Sequence, residues 1–326
     1  MNAALQTLID RYQPVTSQDW ENALREIVQE LALLGLWRSK FFEHAAFYGG
    51  TALRIFHGLP RFSEDMDFSL LRPNPDFHLG PHLEAIRAEL SALGFTFDVD
   101  HKTKQTVTAI DSAFIKGSTR INLLEIGAPP GLSDRFALTQ RLKIKLEVDT
   151  DPPAGAMDEV RTLLIPIPFQ TRLYQLPSLF AGKLHAILCR NWKTRVKGRD
   201  FFDFIWYLGK AVPCDLAHLQ SRMEQTGHWT PGTLLDEVAL KQRLTQRFLE
   251  TNFDQARNDV RPFVRDADAL ALWSRDFFLS RLESAEFLLL PAEGGADHRT
   301  ITPGSDLGSE TWKLPRGQSS GSKDRV

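Results

Sequence analysis

The sequence has very little cysteine, and that already excludes several protein classes. Two cysteines in 326 residues, Cys189 and Cys214, cannot form a disulfide framework. Each reads as a small core residue, as in a reducing, cytoplasmic setting. No run approaches the ~18 consecutive apolar residues that span a bilayer, so no membrane partner is expected. The first residues, MNAALQTLIDRYQ, lack a basic start followed by an apolar stretch, and Asp10 interrupts them. They do not read as a signal peptide. Strong net charge is missing as well. At −2, any affinity for nucleic acid must come from a local patch. The nine histidines show no metal-ligand spacing, and His57 reads as a helix-end residue. Without a Walker A loop, a G-x-S-x-G turn or paired C-x-x-C, a P-loop enzyme, an α/β-hydrolase and a zinc site are all disfavoured.

What is present is the profile of a soluble globular chain, 42% hydrophobic and 25% charged, long enough for a core without staples. Residues 18–36 carry Leu24, Ile27, Val28, Leu31 and Leu34 at helical steps, with Thr16 or Ser17 as the cap. FYGGTALRIFHGLPRFSEDMDFSL, residues 47–70, reads as strand, tight turn, short helix stopped by Gly58, loop and strand. Residues 81–94 predict a helix ending at Gly94. FTFDVD, TVTAI and TRINLLEI, between 95 and 126, read as strands, with Gly117-Ser118 as a turn. RLKIKLEVD, 141–149, alternates strictly, and RTLLIPIPF predicts one more strand, at an edge because of Pro166 and Pro168. Beyond 177 the signal is helical: 178–191 after Pro177, a helix from about 200 through FFDFIWYL, then LLDEVALKQRLTQRFLETNF and ADALALWSRDFFLSRLESAEF. After Pro291 the chain is rich in Gly, Ser and charge and reads as a disordered tail. The fold class is α+β, a small, mixed, largely antiparallel sheet with N-terminal helices and a C-terminal helical region. The expected division is 1–170, 171–290 and a tail at 291–326.

The chemistry concentrates between 49 and 67. Gly49-Gly50-Thr51 stands at a strand-to-helix turn, where glycines let the backbone approach a ligand and unpaired N–H groups favour phosphate. The Thr51 hydroxyl adds a donor. In Asp65-Met66-Asp67-Phe68 the two apolar side chains point to the core, so the two acids share the other face, about 7 Å apart along the strand. Adjacent carboxylates repel unless a cation lies between them, and a pair of Mg²⁺ ions meets that need. The bland alternative is a solvated strand face. Glu147 fits as a third carboxylate on a neighbouring strand, with Asp149, of the same parity, as the other candidate. Arg61 and Ser63, just before the acids, are placed to meet a triphosphate, although Arg61 reads equally as a surface arginine paired with Glu64.

A second cluster is one of charge. Residues 160–199 hold eight basic residues, Arg161, Arg172, Lys183, Arg190, Lys193, Arg195, Lys197 and Arg199, and no acid. Lys183 and Arg190, two helical turns apart, share a face that suits phosphate or an RNA backbone, and Trp192 could stack on a base. Asp200 reads as the N-cap of the following helix, or as a group that orients Lys183 or Arg199 toward a nucleotide.

YGGTALRIFHGLPRFSEDMDF resembles the first motif of the AbiEii/AbiGii-type nucleotidyltransferase toxins, a Gly-Gly-Thr turn followed by R-x-S-x-D-x-D-F. KLHAILCRNWKTRVKGRDFFDFIWYL is similar to their later motif, a helical Lys followed by K-G-R-D-x-x-D. The resemblance spans roughly residues 18–285. It implies a polymerase-β-like nucleotidyltransferase fold, metal bound by Asp65 and Asp67, Lys183 on the nucleotide phosphates, and Asp200 in the active site. It also implies Mg²⁺ or Mn²⁺ as cofactor, an NTP as substrate, an RNA such as the tRNA 3′ end as acceptor, and a cognate antitoxin from a neighbouring gene in a toxin–antitoxin or phage-defence system. A small-molecule or protein acceptor, and a catalytically idle RNA- or partner-binding module, are the rival readings.

Overall fold

The apolar stripe of residues 18–36 does form a helix, and Thr16 fixes where it starts. The Thr16 hydroxyl accepts from the Asp19 amide at 3.1 Å, while the Asp19 carboxylate accepts from the Thr16 amide at 2.9 Å, a reciprocal cap. The computed structural model describes residues 3–102, 108–191, 195–283, 285 and 287. The expected tail, Trp192, Lys193 and the first two residues of the expected TVTAI strand, 106 and 107, lie outside the described residues, and of the other three only Ile110 belongs to a strand. Among the described residues no helix is long and apolar enough to cross a membrane.

The chain begins with α1 (Ala3–Asp10), α2 (Ser17–Arg38), β1 (Ala45–Tyr48), α3 (Gly49–His57) and β2 (Met66–Leu70). Gly58, in the left-handed region at φ 71°, closes α3. Then come α4 (Gly80–Ala92), β3 (Asp98–His101), β4 (Ile110–Ser118), α5 (Thr119–Glu125), α6 (Pro130–Ser133) and β5 (Arg141–Asp149). The sheet is completed by β6 (Asp158–Leu163) and β7 (Phe169–Tyr174), and the chain continues as α7 (Leu176–Cys189), α8 (Gly198–Gly209), α9 (Leu216–Gln225), α10 (Glu237–Glu250), α11 (Phe253–Val260) and α12 (Arg275–Glu283).

Four expectations change here. The strand expected at TRINLLEI is α5. Ser118 is not a turn residue but its N-cap, and Thr119, Asn122 and Leu123 are buried at helical spacing while Ile121 and Leu124 stay exposed. The strand itself is the preceding IDSAFIKGS. RTLLIPIPF is not one strand: the prolines separate β6 from β7, which pair as an antiparallel hairpin with β6 at the sheet edge. The last long helical segment is interrupted, because the Ser274 hydroxyl accepts from the Phe277 amide at 3.1 Å and starts α12 afresh. Pro177 lies inside the first turn of α7 rather than before it.

Among the described residues, seven strands run in the order β3-β4-β5-β2-β1-β7-β6. β2 and β5 are parallel, as are β1 and β7, and the other neighbours are antiparallel, which gives the mixed α+β sheet expected. Alternation divides it cleanly. Phe47, Met66, Phe68, Ile144, Leu146 and Val148 pack with α2 and α4 in one apolar cluster. On the other face, Ala46 and Tyr174 join a second cluster built from α7, α8, α10 and α11. Residues 1–290 form one compact unit around the two clusters.

Candidate active site

The face of β2 turned away from the first cluster carries Asp67 and Ser69. Register then decides which acids meet. Asp67 pairs directly with Glu147 on parallel β5 and with Tyr48 on β1, whereas Asp149 lies opposite Ser69, one step further along. Asp65 immediately precedes β2. Burial, then the charges of Asp65 and Glu147, push the Asp67 carboxyl up to about 6. Burial and Glu64 raise Asp65 as well. Asp149 is raised by burial, and its carboxylate accepts from the Asp151 amide at 3.1 Å.

The glycine turn is fitted against these acids. Gly49 has φ 82°, and a Cβ there would stand 2.7 Å from Asp67 Oδ2. A Cβ on Gly50 would stand 2.8 Å from Arg61 Nη2 and 3.1 Å from Ser63 Oγ. The amides that open α3 therefore sit beside Asp67, and α3 has no side-chain cap. Two expected phosphate contacts are otherwise engaged. The buried Thr51 hydroxyl donates to the Asp65 carbonyl, which locks the turn to the acidic strand. Arg61 is neither a surface residue nor paired with Glu64. It is 3% exposed and grips Asp203 through two bonds of 2.6 Å. Glu64 pairs instead with Arg199 at 2.8 Å. Ser63 lies on the turn, its carbonyl held by Gln29 at 3.2 Å.

Lys183, on α7, faces the same space. Its Nζ lies 2.8 Å from Asp200 Oδ1 and 2.8 Å from Asp203 Oδ2, and Arg190 Nη1 meets Asp200 Oδ2 at 2.5 Å. Burial pulls the Lys183 ammonium down, but Asp200 and Asp203 outweigh it and raise the pKa. Burial works against Asp200 too, and Lys183 with Arg190 brings its carboxyl below the ordinary value. Asp200 is therefore not the N-cap of α8, a place taken by Lys197. It lies in the first turn, with its carboxylate turned inward.

Tyr48, Gly49, Gly50, Asp67, Lys183, Arg190, Asp200 and Arg222 line a cleft of about 340 Å³, while Asp65, Arg61, Glu147 and Asp203 lie outside its lining. Arg222 was not visible in the sequence pattern. It lies on α9, its guanidinium 5.8 Å from the Tyr48 ring, and its buried Nε has no hydrogen-bond partner among the described residues. Asp203 was visible only as the last letter of K-G-R-D-x-x-D. Its three-residue spacing from Asp200 on one helix face was the available signal. A larger hollow of about 590 Å³, lined by Trp37, Arg38, Phe42 and Arg172, holds none of these residues.

The donor set suits a hard divalent cation, since it consists of carboxylate oxygens. Asp67, raised toward neutrality by burial and then by its acidic neighbours, is a carboxyl whose ionised form such a cation would favour. Among the described residues no three His, Cys, Asp or Glu side chains already stand close enough to hold a metal. Glu147 is drawn aside to Lys145 Nζ at 2.6 Å. The expected three-acid grip is thus laid out by register but not closed.

The family profile described as "Nucleotidyl transferase AbiEii toxin, Type IV TA system" matches residues 31–281, a span that contains both motifs and the whole cleft. The chain belongs to the AbiEii nucleotidyltransferase toxin family. It is accordingly a nucleotidyltransferase, with an antitoxin partner implied by the type IV system. Among solved structures, the AbiEii-family chain is similar to a candidate nucleotidyltransferase from H. pylori at 18% identity. The match has a TM-score of 0.42 and covers 79% of this chain and 89% of that one. It is also similar to JHP933 from Helicobacter pylori at 17% identity and TM-score 0.42, over 79% and 87% of the two chains. Comparison with curated proteins gives no match.

Proposed function

We propose that this toxin transfers a nucleoside monophosphate from an NTP to an acceptor hydroxyl, with an RNA 3′ end such as that of tRNA as acceptor, in the cytoplasm and in the presence of Mg²⁺ or Mn²⁺. The observation that carries the reading is the placement of Asp67. It lies beside Asp65 in sequence, opposite Glu147 in the sheet and against the glycine turn, in the lining of a cleft that Lys183, Arg190 and Arg222 also line. In this reading residues 1–170 supply the acids and the turn, and 171–290 supply Lys183, Arg190 and Arg222.

The amides of Gly49 and Gly50 and the ammonium of Lys183 hold the triphosphate, which fixes the α-phosphorus before the acids. Asp200 and Asp203 keep Lys183 charged and aimed. Asp65, Asp67 and Glu147 would hold the divalent cations, which supply Lewis-acid charge to the attacking and leaving oxygens. The acceptor oxygen forms a bond to the α-phosphorus as the bond to pyrophosphate breaks. The hydroxyl proton passes to a carboxylate of the cluster, Glu147 being the one in register with Asp67.

The test is transfer from each labelled NTP in turn to total tRNA, total protein or an aminoglycoside. Label in tRNA alone, lost in the Asp65→Ala/Asp67→Ala protein with its fold retained, is the expected result. Labelled RNA from the purified double variant would refute the assignment. Label in protein or aminoglycoside would move the acceptor. Failure of calorimetry to detect Mg²⁺ or NTP binding would leave an idle binding module.

A further inference from the structure

The sheet is covered unevenly. At β1 and β7 its outer face lies under the C-terminal helices. Over β4 and β5 the same face is polar and at least partly exposed. Alternation puts Phe114 and Lys116 of β4, and Arg141, Lys143, Lys145 and Glu147 of β5, opposite the core residues Ala113, Ile115, Ile144 and Leu146.

Phe114 is the unusual member, an aromatic ring on the solvent side of the sheet. Three ammonium groups converge on it, at 4.1 Å (Lys143), 4.9 Å (Lys116) and 5.9 Å (Lys102) from the ring centroid. Like charges collected around one ring repel one another, and cation–π attraction offsets this only in part. Two acids of this face are occupied: Asp98 by Arg141 at 2.9 Å and Glu147 by Lys145 at 2.6 Å. Asp100 lies opposite Phe114 on β3, and Asp98 lies opposite Lys116.

The basic segment at 160–199 makes a weaker platform than its sequence suggests. Arg161, Arg172, Lys183, Arg190, Arg195 and Arg199 are each paired with a carboxylate. Of the lysines around Phe114, Lys143 stands on the strand that carries Glu147, and Lys116 lies opposite it. From Lys143 the β5 strand runs four residues, roughly 13 Å, to Glu147, the partner of Asp67.

We propose that the open face of β4 and β5 docks the acceptor as a single strand of nucleic acid. A base stacks on Phe114, phosphates meet Lys102, Lys116 and Lys143, and the strand leads its terminal hydroxyl along β5 to the acids. The single strand is specified by the ring, because only an unstacked base presents a free face. The docking rests on the transfer reading for its end point, and not for the binding itself.

Fluorescence anisotropy of a fluorescein-labelled 12-nucleotide oligouridylate with the full chain, without NTP or divalent cation, tests the docking apart from the chemistry. Wild-type binding should weaken with salt. In Lys116→Gln/Lys143→Gln the slope of log K against log salt should fall by about 1.4, at ~0.7 per phosphate contact. Phe114→Ala should weaken binding roughly tenfold and leave the slope unchanged. NTP binding by calorimetry and thermal melting should match wild type in all of these variants. Equal RNA binding by wild type and variants, or no RNA binding by wild type, would overturn the platform. So would competition by polyglutamate as effective as that by RNA, which would mark the face as a protein-docking surface. Intact, lysine-dependent RNA binding with no transfer would sink only the transfer reading, and transfer without these dependences would sink only the platform.

Discussion

Two groups of acids each send one member, Asp200 and Asp67, to the same cleft, and their surroundings are opposite. Asp200 and Asp203 on α8 sit among Arg61, Lys183 and Arg190, every carboxylate oxygen engaged by a cation at 2.5–2.8 Å. Asp65 and Asp67 at β2 sit beside Glu64, Glu147 and each other, and their carboxyls are raised. The first group is a latch. It ties the loop before β2 to α7 and α8, and its charges are matched within the protein. The second has no such ion pairs, and burial together with like charge raises both carboxyls. On the proposed reading, that difference in surroundings separates the acids that hold the fold from those that hold a ligand.

The largest contrast comes from removing one acid of each kind. Asp67→Asn should lower nucleotidyl transfer by about a thousandfold or more, since the acids' hold on divalent charge is worth several kcal/mol in the transition state. Its stability in the absence of metal should hold or rise. Asp203→Ala should do the reverse to stability. It strands Arg61, 3% exposed, and removes one partner of Lys183, so urea unfolding should show a loss of about 3–5 kcal/mol. Equal destabilisation by both substitutions would erase the distinction.

The imbalance at Asp67 also sets a pH dependence. Its carboxyl rises from an ordinary 3.8 to about 6 in the fold, so the protonated form is favoured there. The stability this confers is fully present below pH 3.8 and lost as pH rises through about 6. Metal-free protein should therefore melt at lower temperature at pH 7.5 than at pH 5. Mg²⁺ should restore the difference at pH 7.5 and do little at pH 4.5. Asp67→Asn should flatten both effects. A latch acid such as Asp200, whose pKa is lowered, gives the opposite slope: its stabilisation holds above 3.8 and is lost as pH falls below it.

Arg222 extends the comparison to cations. Lys183 is held by two carboxylates, whereas the buried Arg222 Nε has no hydrogen-bond partner among the described residues. Arg222→Gln should weaken NTP binding by about tenfold, the worth of one charge-assisted hydrogen bond, and change stability by less than about 1 kcal/mol. Calorimetry and urea unfolding on the same preparation check both halves.

Much of this was legible in the residues. The parity of Asp67 and Glu147 follows from two-residue alternation and the glycine turn from its residue types, both local properties, and β5 and α3 appear where the pattern puts them; β2 starts only at Met66, so Asp65 stands just outside the strand expected to hold both acids. Sequence could not choose between Glu147 and Asp149, because parity is identical and only the β2–β5 register separates them. Arg61 was misread for a similar reason. Its partner Asp203 lies 142 residues away, and nothing local marks a loop arginine as buried. TRINLLEI alternates well enough to look like a strand, yet the Ser118 cap and burial of Asn122 and Leu123 favour a turn of helix.

The smallest effect belongs at the border between the two groups. Glu64 bonds Arg199 at 2.8 Å, like a latch acid, and also raises Asp65, like a member of the cluster. Its side chain is 39% exposed, and Arg199 keeps the Phe263 ring, 4.2 Å away, as a second support. An exposed pair of this kind contributes about 0–1 kcal/mol, so Glu64→Gln should leave unfolding nearly unchanged. Its other role survives exposure better, because Asp65 is the adjacent residue. Without the Glu64 charge, Asp65 ionises more easily, while the site loses negative potential for a cation. The two effects oppose each other near neutrality, so Mg²⁺ affinity should shift by no more than about threefold, and the pH midpoint of Mg²⁺ binding should move down. A stability loss above about 2 kcal/mol with no change in that midpoint would place Glu64 in the latch, and the boundary between matched and unmatched charge would then run through residue 65 itself.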